Sequence, residues 1–290
     1  MADTRKLIEL LDLTTQYFDE RQIENPRLNA ELLISFILGL SRVQLYLNFE
    51  KPIEKDEIYK IRTAIKRRAN HEPLQYILGE TEFFSLPFKV NRNTLIPRPE
   101  TELLVEKMSE KIGQNSEKSV LDIGTGSGNI VISLAKECKP SQATGIDIDE
   151  KIVQVARENA ALNGVEENIN FVVADICQPD VVDRLHQKFD VVVSNPPYIS
   201  TSDFQKLPKE IRDFEPVTAL DGGDDGLIFY RRISEIAPAL LKNGGAIGLE
   251  IGMGQSDSVK NILHEQGFVD IEIINDLNGI DRVVIACSRN

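Results

Sequence analysis

The chain has 290 residues, a formal net charge of -13 and 41% hydrophobic residues, enough sequence for one large or two modest soluble domains. The acidic balance argues against a polyanionic partner, because affinity for nucleic acid comes largely from phosphate neutralisation. No apolar run is long enough to span a bilayer, Met1 to Arg5 carry no signal-peptide pattern, and the isolated Cys138, Cys177 and Cys287 and scattered His71, His186 and His264 offer neither a disulfide framework nor metal-ligand spacing. A reduced, cytoplasmic, metal-free protein is expected.

Residues 1–75 read as four to five short helices forming a small bundle. Thr4 is placed to cap a first helix with Leu7, Ile8, Leu11 and Leu13 near helical spacing. Asn25-Pro26 opens a second, with Leu28, Ala30, Leu32, Leu33, Phe36 and Ile37 on one face and Gly39 near its end. Lys55 to Asn70 makes a third. Its five positive residues between Lys60 and Arg68 are read as the solvated face of that helix rather than as a nucleic-acid patch. Residues 76–97 mix aromatic and alternating apolar positions, among them Tyr76, Ile77, Phe83, Phe84, Leu86, Phe88 and Val90. They are interrupted by Gly79 and Pro87 and followed by the turn signal Asn91-Arg92-Asn93. This predicts a β-hairpin linking two domains. Ile96 to Glu102 holds Arg98 between two prolines, and Pro99 suits the first turn of a helix running to about Ile112.

From Ser119 onward strands and helices alternate. Predicted strands are 120–123, 143–147, 171–174, 191–194, 246–251, 270–274 and 282–286; predicted helices are 129–138, 150–163, 227–241 and 255–266. Gly164, Gly244 and Gly267 stand where left-handed helix caps belong. The alternation implies a mostly parallel sheet covered by helices on both faces. The short loop between the last two strands permits only an antiparallel hairpin. The stretch from Ser200 to Gly226, rich in Asp, Gly and Pro, reads as a long functional loop over a pocket.

Two motifs carry chemistry. Asp122-Ile-Gly124-Thr125-Gly126-Ser127-Gly128-Asn129 joins the first sheet strand to its helix, where glycines let a ligand approach the backbone donors of a helix start. The third glycine comes one residue too early for the dinucleotide pattern, so no pyrophosphate is implied, and the amino-acid end of S-adenosylmethionine suits the loop better. Asp147, ending the second strand, can take two ribose hydroxyls, and Asp175, ending the third, can accept an adenine amino group. The second motif, Asn195-Pro196-Pro197-Tyr198, follows the run Val191-Val192-Val193 at the carboxyl end of a core strand. It holds no acid, nucleophile or metal ligand. Its Asn oxygen and proline-flanked carbonyls are acceptors suited to a planar NH2 group, and a tyrosine ring can lie against a flat substrate.

The region from Val120 to Tyr198 resembles class I S-adenosylmethionine-dependent methyltransferases that act on amino groups. Nearly the whole chain looks like the release factor glutamine methyltransferases. The stretches that carry this likeness are the helical first region, Glu72 to Gly79, Ile96 to Glu102, Phe214-Glu215-Pro216, Leu220 to Gly226 and Leu249 to Gly252. The resemblance implies a seven-stranded Rossmann-like methyltransferase sheet, mostly parallel with the last strand antiparallel, spanning 98–290. A partner-holding bundle (1–75) and a hairpin linker (76–97) would precede it. It implies S-adenosyl-L-methionine as cofactor, S-adenosyl-L-homocysteine as product, and methylation of the glutamine side-chain amide in the Gly-Gly-Gln motif of class 1 peptide chain release factors. Cofactor residues would be Asp122, Gly124, Thr125, Gly126, Ser127, Gly128, Asp147, Ile148, Asp175, Ile176 and Asn195. Asn195, Pro196, Pro197 and Tyr198 would hold the substrate, with Asn195, Pro196 and Tyr198 catalytic. Glu215 is weighed between a partner supporting the site and a surface or helix-start carboxylate, and Arg98 between steering the acidic cofactor end or closing the site and a structural salt bridge. The rival readings are a nucleic acid amino methyltransferase acting on adenine N6 or guanine N2, which uses similar Asn-Pro-Pro-aromatic loops, a dinucleotide oxidoreductase, and a non-catalytic scaffold.

Overall fold

The computed structural model describes residues 6–114 and 117–289; Thr4, the expected first cap, lies outside them. The chain forms two compact units. One comprises the residues up to Gly79 together with Pro208–Phe214, and the other Glu80–Leu207 with Glu215–Asn290.

The first unit contains α1 (Leu7–Glu20), α2 (Pro26–Leu38), α3 (Arg42–Leu47), α4 (Lys55–Ala69) and α5 (Leu74–Leu78). Leu7, Leu10, Leu11 and Phe18 form the buried face of α1, while Leu13 is 48% exposed and takes no part. Proline at the first position of α2 needs no hydrogen-bond partner, and Gly39 ends the helix at φ +64°. The core stripe of α2 is Ala30, Leu33 and Ile34; Leu28 and Phe36, expected on the same face, are exposed. The stripe also buries Glu31, whose carboxylate accepts from Arg27 Nε (2.9 Å), Arg42 Nη2 (2.7 Å) and the Tyr46 hydroxyl. Burial pushes this carboxyl up, but the three donors outweigh it and hold it below the ordinary glutamate range. Glu31→Ala would strand these donors. It is expected to destabilise the chain by about 2 kcal/mol, less than a fully buried pair because both arginines remain partly exposed. Urea unfolding of the full-length protein measures this.

Arg68 departs from the expected solvated face of α4. It is 5% exposed and donates to Asn29 Oδ1 (2.7 Å), Glu72 O (3.0 Å) and Glu210 Oε2 (2.6 Å). Its neighbour Arg67 pairs with Glu72. At least two of the five positive residues are therefore structural.

The second unit opens with β1 (Glu80–Phe83) and β2 (Leu86–Lys89), an antiparallel hairpin. Tyr76 and Ile77, assigned by sequence to this hairpin, lie in α5 instead. The hairpin turn is Phe84-Ser85, both at positive φ without a glycine, and the Phe84 N–H is taken up by Glu102 Oε1 (2.7 Å). The hairpin packs into the sheet unit. Phe83 and Phe88 meet edge to face with ring centroids 6.0 Å apart, and the Lys89 backbone exchanges two hydrogen bonds with the buried Asn159 side chain.

Beyond it run α6 (Thr101–Ile112), β3 (Ser119–Ile123), α7 (Asn129–Cys138), β4 (Gln142–Asp147), α8 (Glu150–Leu162), β5 (Ile169–Val173), α9 (Val181–Leu185) and β6 (Phe189–Ser194). They are followed by α10 (Thr201–Phe204), α11 (Lys209–Arg212), α12 (Ile228–Leu240), β7 (Leu241–Glu250), α13 (Ser256–Glu265), β8 (Val269–Asn275) and β9 (Asp281–Cys287). The seven-stranded sheet has the order β5-β4-β3-β6-β7-β9-β8, and only β9 is antiparallel to its neighbours. Alternate residues serve opposite faces: Val120, Val191, Val193 and Ile285 pack with α6, α7 and α8, while Leu121, Val192, Ile247 and Val284 pack with α12 and α13. A strand buried on both faces reads as a continuous apolar run, as 191–193 does.

Gly164 and Gly267 follow helix ends at positive φ as expected, but Gly244 does not cap α12. It lies inside β7, where the pairing with β6 shifts between Phe189 and Val191. The excess residues on β7 form a bulge, and the left-handed glycine serves that irregularity. Among the described residues no helix is long and apolar enough to cross a membrane.

Candidate active site

At the carboxyl end of the sheet a cavity of about 450 Å³ is lined by the segment from Asn93 to Thr101, the glycine loop, the ends of β4, β5 and β6, and residues from the 217–233 region. This is within the usual size of a small-molecule site. In the loop, Gly124 and Thr125 both donate to Ile146 O at 2.9 Å. Gly124 and Gly126 have φ of +71° and +56°, which favours glycine, and a Cβ on either would meet nothing but Gly124 O, at 4.0 Å from Gly126. Their open side belongs to the cavity. Gly128 has a different duty: a Cβ there would stand 2.7 Å from Ile132 Cδ1 and 3.3 Å from Ala156 Cβ. It is a packing glycine outside the cavity lining, which corrects the cofactor-binding role that the sequence implies for it.

Asp122 also departs from that expectation. It is fully buried behind the loop, and its Oδ2 accepts from the Thr125 hydroxyl at 2.7 Å. Burial pushes its carboxyl up to about 7. Thr125, Ser127, Asp147, Ile148, Asp175 and Ile176 all reach the cavity. Asp147 ends β4 as predicted; its two oxygens accept from Gly126 N and Ile148 N, each at 2.8 Å. These bonds aim the carboxylate while leaving lone pairs for a diol. Asp175 stands two residues beyond β5 rather than at its end, accepting from Cys177 N (2.8 Å) and Gln178 Nε2 (3.2 Å).

The β6 end supplies Ser194, Asn195, Pro196 and Pro197 to the same cavity. The Ser194 hydroxyl donates to Ile123 O at 2.7 Å, tying this strand end to the glycine-loop strand. Asn195 Nδ2 donates to Thr101 Oγ1 at 3.1 Å. Tyr198 is not in the lining. Its ring packs with the apolar cluster under α12 and α13, against Gly252, and burial raises its hydroxyl to about 12. The expected stacking of this ring on a flat substrate therefore has no support from its position.

Sequence reasoning missed what backs this strand end. Gln255 Nε2 donates to Tyr198 O at 3.0 Å, and Gln255 Oε1 accepts from Gly252 N at 3.0 Å. A Cβ on Gly222 would fall 2.8 Å from Pro197 O, and one on Gly226 would fall 2.4 Å from Tyr198 O. The 220–226 glycines are thus an apposition surface for the Asn-Pro-Pro-Tyr backbone, an arrangement signalled only by their clustering. Ile199 pairs with Asp221 at the same place, so the expected long loop is short helices and a bridge, with 208–214 belonging to the first unit. Glu215 is buried, receives the Arg98 guanidinium, and accepts from Ile96 N at 3.3 Å. It fixes the 96–98 segment at the cavity rim.

Raised carboxyls at Asp122 and Glu250, each about 7 through burial, set a pH dependence. The folded state holds protons that the unfolded chain releases near 3.8 and 4.5, so stability falls as pH rises from about 5 to about 8. Groups held low, such as Asp190, whose burial is outweighed by Lys242 and Ser119, act only below the ordinary carboxylate range. Thermal melts across that window check the slope, and Asp122→Asn is expected to flatten it.

With this geometry described, relatives are informative. A family model described as PrmC N-terminal domain matches residues 9–79, and one described as methyltransferase domain matches 114–267. The release factor glutamine methyltransferase of Geobacter sulfurreducens is 43% identical over 95% of this chain and 94% of its own length. That of Thermodesulfovibrio yellowstonii is 44% identical over 88% and 90%. The chain belongs to the release factor glutamine methyltransferase family. A solved methyltransferase from Pyrococcus furiosus, 19% identical, superimposes with a TM-score of 0.54 over 82% of this chain and all of that one, a likeness of fold. For this methyltransferase the cavity fits a nucleoside-bearing cofactor. It offers open glycine backbone, a carboxylate aimed by two N–H groups, and apolar walls from Ile148 and Ile176.

Proposed function

We propose that this chain transfers a methyl group from S-adenosylmethionine to the side-chain amide nitrogen of the glutamine in the Gly-Gly-Gln motif of class 1 peptide chain release factors. The products are N5-methylglutamine and S-adenosylhomocysteine, and the expected compartment is the cytoplasm. The family supports the substrate. The observation that carries the chemistry is the orientation of Asn195: its amide N–H is committed to Thr101, and among the described residues no donor is bonded to its Oδ1. The cavity is thus offered a neutral acceptor.

An amide nitrogen is a poor nucleophile because its lone pair is delocalised into the carbonyl. The bound cofactor supplies an activated methyl group on a sulfonium. The protein's work is therefore mostly orientation. Asn195 Oδ1 and the Pro196 carbonyl accept from the two N–H bonds of the substrate amide, fixing its nitrogen and leaving electron density on it. Asp147 would hold the ribose hydroxyls of that cofactor, Gly124 to Ser127 its amino-acid end, and Ile148, Asp175 and Ile176 its base. As the nitrogen acquires its new bond its proton becomes acidic; Asn195 Oδ1 holds that proton's hydrogen bond until water takes it.

The test is transfer of labelled methyl from S-adenosylmethionine. The acceptors are a recombinant class 1 release factor, the same factor with its Gly-Gly-Gln glutamine changed to alanine, total RNA, and DNA. Label on the first alone is the expected result. Label on nucleic acid would favour adenine N6 or guanine N2 methylation, which the -13 charge disfavours.

A further inference from the structure

We propose that Gln255 is a positioning residue for methyl transfer: its side-chain amide clamps the far end of the Asn195-Pro196-Pro197-Tyr198 loop, so that the two acceptors at the cavity keep their place. This rests on the reading of Asn195 and the Pro196 carbonyl as acceptors for the substrate amide.

The loop has few holds of its own. Pro196 and Pro197 have no N–H, so neither can tie it to its surroundings by donation. Its near end is anchored by the sheet, where Ser194 pairs with Ile123 and Leu249. At its far end Gln255 Nε2 donates to Tyr198 O at 3.0 Å. Among the described residues this is the one side-chain hydrogen bond to the main chain of residues 195–198. The same nitrogen donates to Gly226 O at 3.3 Å, and Gln255 Oε1 accepts from Gly252 N at 3.0 Å. The Gly252 N–H can only donate, so it fixes the polarity of the Gln255 amide and leaves both of its donors for the two carbonyls. The slot is shaped for this side chain. A Cβ on Gly226 would stand 2.7 Å from Gln255 Nε2, and one on Gly252 would stand 2.7 Å from Oε1.

Two further observations favour this role over simple scaffolding. The main chain of Gln255 is secured independently of its side chain: its N–H donates to Gly252 O at 3.1 Å, and its carbonyl accepts from Val259 N at 2.9 Å. The start of α13 therefore does not depend on the amide. Gln255 also lies outside the cavity lining, so its loss reaches the cavity only through the loop it holds.

The experiment compares Gln255→Leu, Gln255→Glu, Asn195→Ala and the double variant Asn195→Ala/Gln255→Leu, all in the full chain. It reads kcat on a class 1 release factor, the cofactor Kd by calorimetry, and the melting temperature. Gln255→Leu is expected to lower kcat about 30-fold with the cofactor Kd unchanged, short of the roughly 100-fold cost of misplacing reacting groups by about 1 Å. The loss is partial because Ile199 stays bonded to Leu220 O (3.0 Å) and Gly222 N (2.8 Å). Gln255→Glu, assayed above neutral pH where the introduced carboxyl is ionised, keeps the shape and the acceptor for Gly252 but has no donor for Tyr198 O. It is expected to be as slow, and it decides if Gln255→Leu fails to fold. The double variant should stay within about three-fold of Asn195→Ala, because a substrate amide that has lost one acceptor gains little from the placing of the other. Wild-type kcat in Gln255→Leu or in Gln255→Glu, a parallel rise in the cofactor Kd, or a double variant slowed by the full product of the two single losses would overturn the clamp. Wild-type kcat in Asn195→Ala would instead overturn the underlying reading of the loop.

Discussion

Asn195→Ala is expected to lower kcat by about 100- to 1,000-fold, the range seen when one preorganised polar group is removed from an active site, while the cofactor Kd changes little. The asymmetry follows from geometry. Asn195 sits at the end of β6 with its nitrogen bonded to Thr101, and the glycine loop is held by other bonds, from Gly124 and Thr125 to Ile146 O and from Thr125 to Asp122. Truncating Asn195 leaves that loop intact and removes only the acceptor proposed to orient the substrate nitrogen. Calorimetry of cofactor binding beside single-turnover methylation separates the two quantities. Equal losses in both would mean that Asn195 serves the cofactor rather than the acceptor.

Asp147→Ala is expected to do the reverse. Its carboxylate is aimed by Gly126 N and Ile148 N, and burial already raises its pKa. Two hydroxyl bonds to a carboxylate contribute roughly 3 kcal/mol together once competition with water is counted. The cofactor Kd should therefore rise about 100-fold, with most of kcat recovered at saturation. Asp147→Asn should fall between the two, since it keeps one acceptor but replaces the other with a donor facing Gly126 N–H. A Kd within a factor of three of the wild type in Asp147→Ala would place the cofactor ribose elsewhere.

The sheet was legible because its central strands β3 and β6 are apolar on both faces, and the helices 129–138 and 150–163 were bounded to within a residue. The carboxyl-end motifs were legible for the same reason, since a strand end dictates where its loop must stand. Several assignments failed for physical reasons. Gly244 looks like a helix cap in sequence, and only the register of β6 against β7 shows the bulge it serves. Tyr198 sits beside three lining residues, yet the backbone bond from Gln255 and the bulk of its ring against Gly252 direct it into the core. Asp122 and Gly128 belong to a ligand motif but support it from behind. Thr101 and Asn195 are separated by 94 positions, and no local pattern announces such a pair; neither does the Arg98–Glu215 bridge across 117.

The grouping of Pro208–Phe214 with the amino-terminal helices has a consequence for biosynthesis. Arg68 is buried early in the sequence, but Glu210 is 142 positions further on. At usual translation speeds of about 5–20 residues per second, roughly 7–30 s separate their synthesis. During that interval the nascent helical unit carries a cation whose carboxylate does not yet exist. It has Asn29 and the Glu72 carbonyl as interim acceptors. The helical unit is therefore completed only after strands β1 to β6 have been synthesised, and a fragment ending at Gly79 would retain this unfinished state permanently.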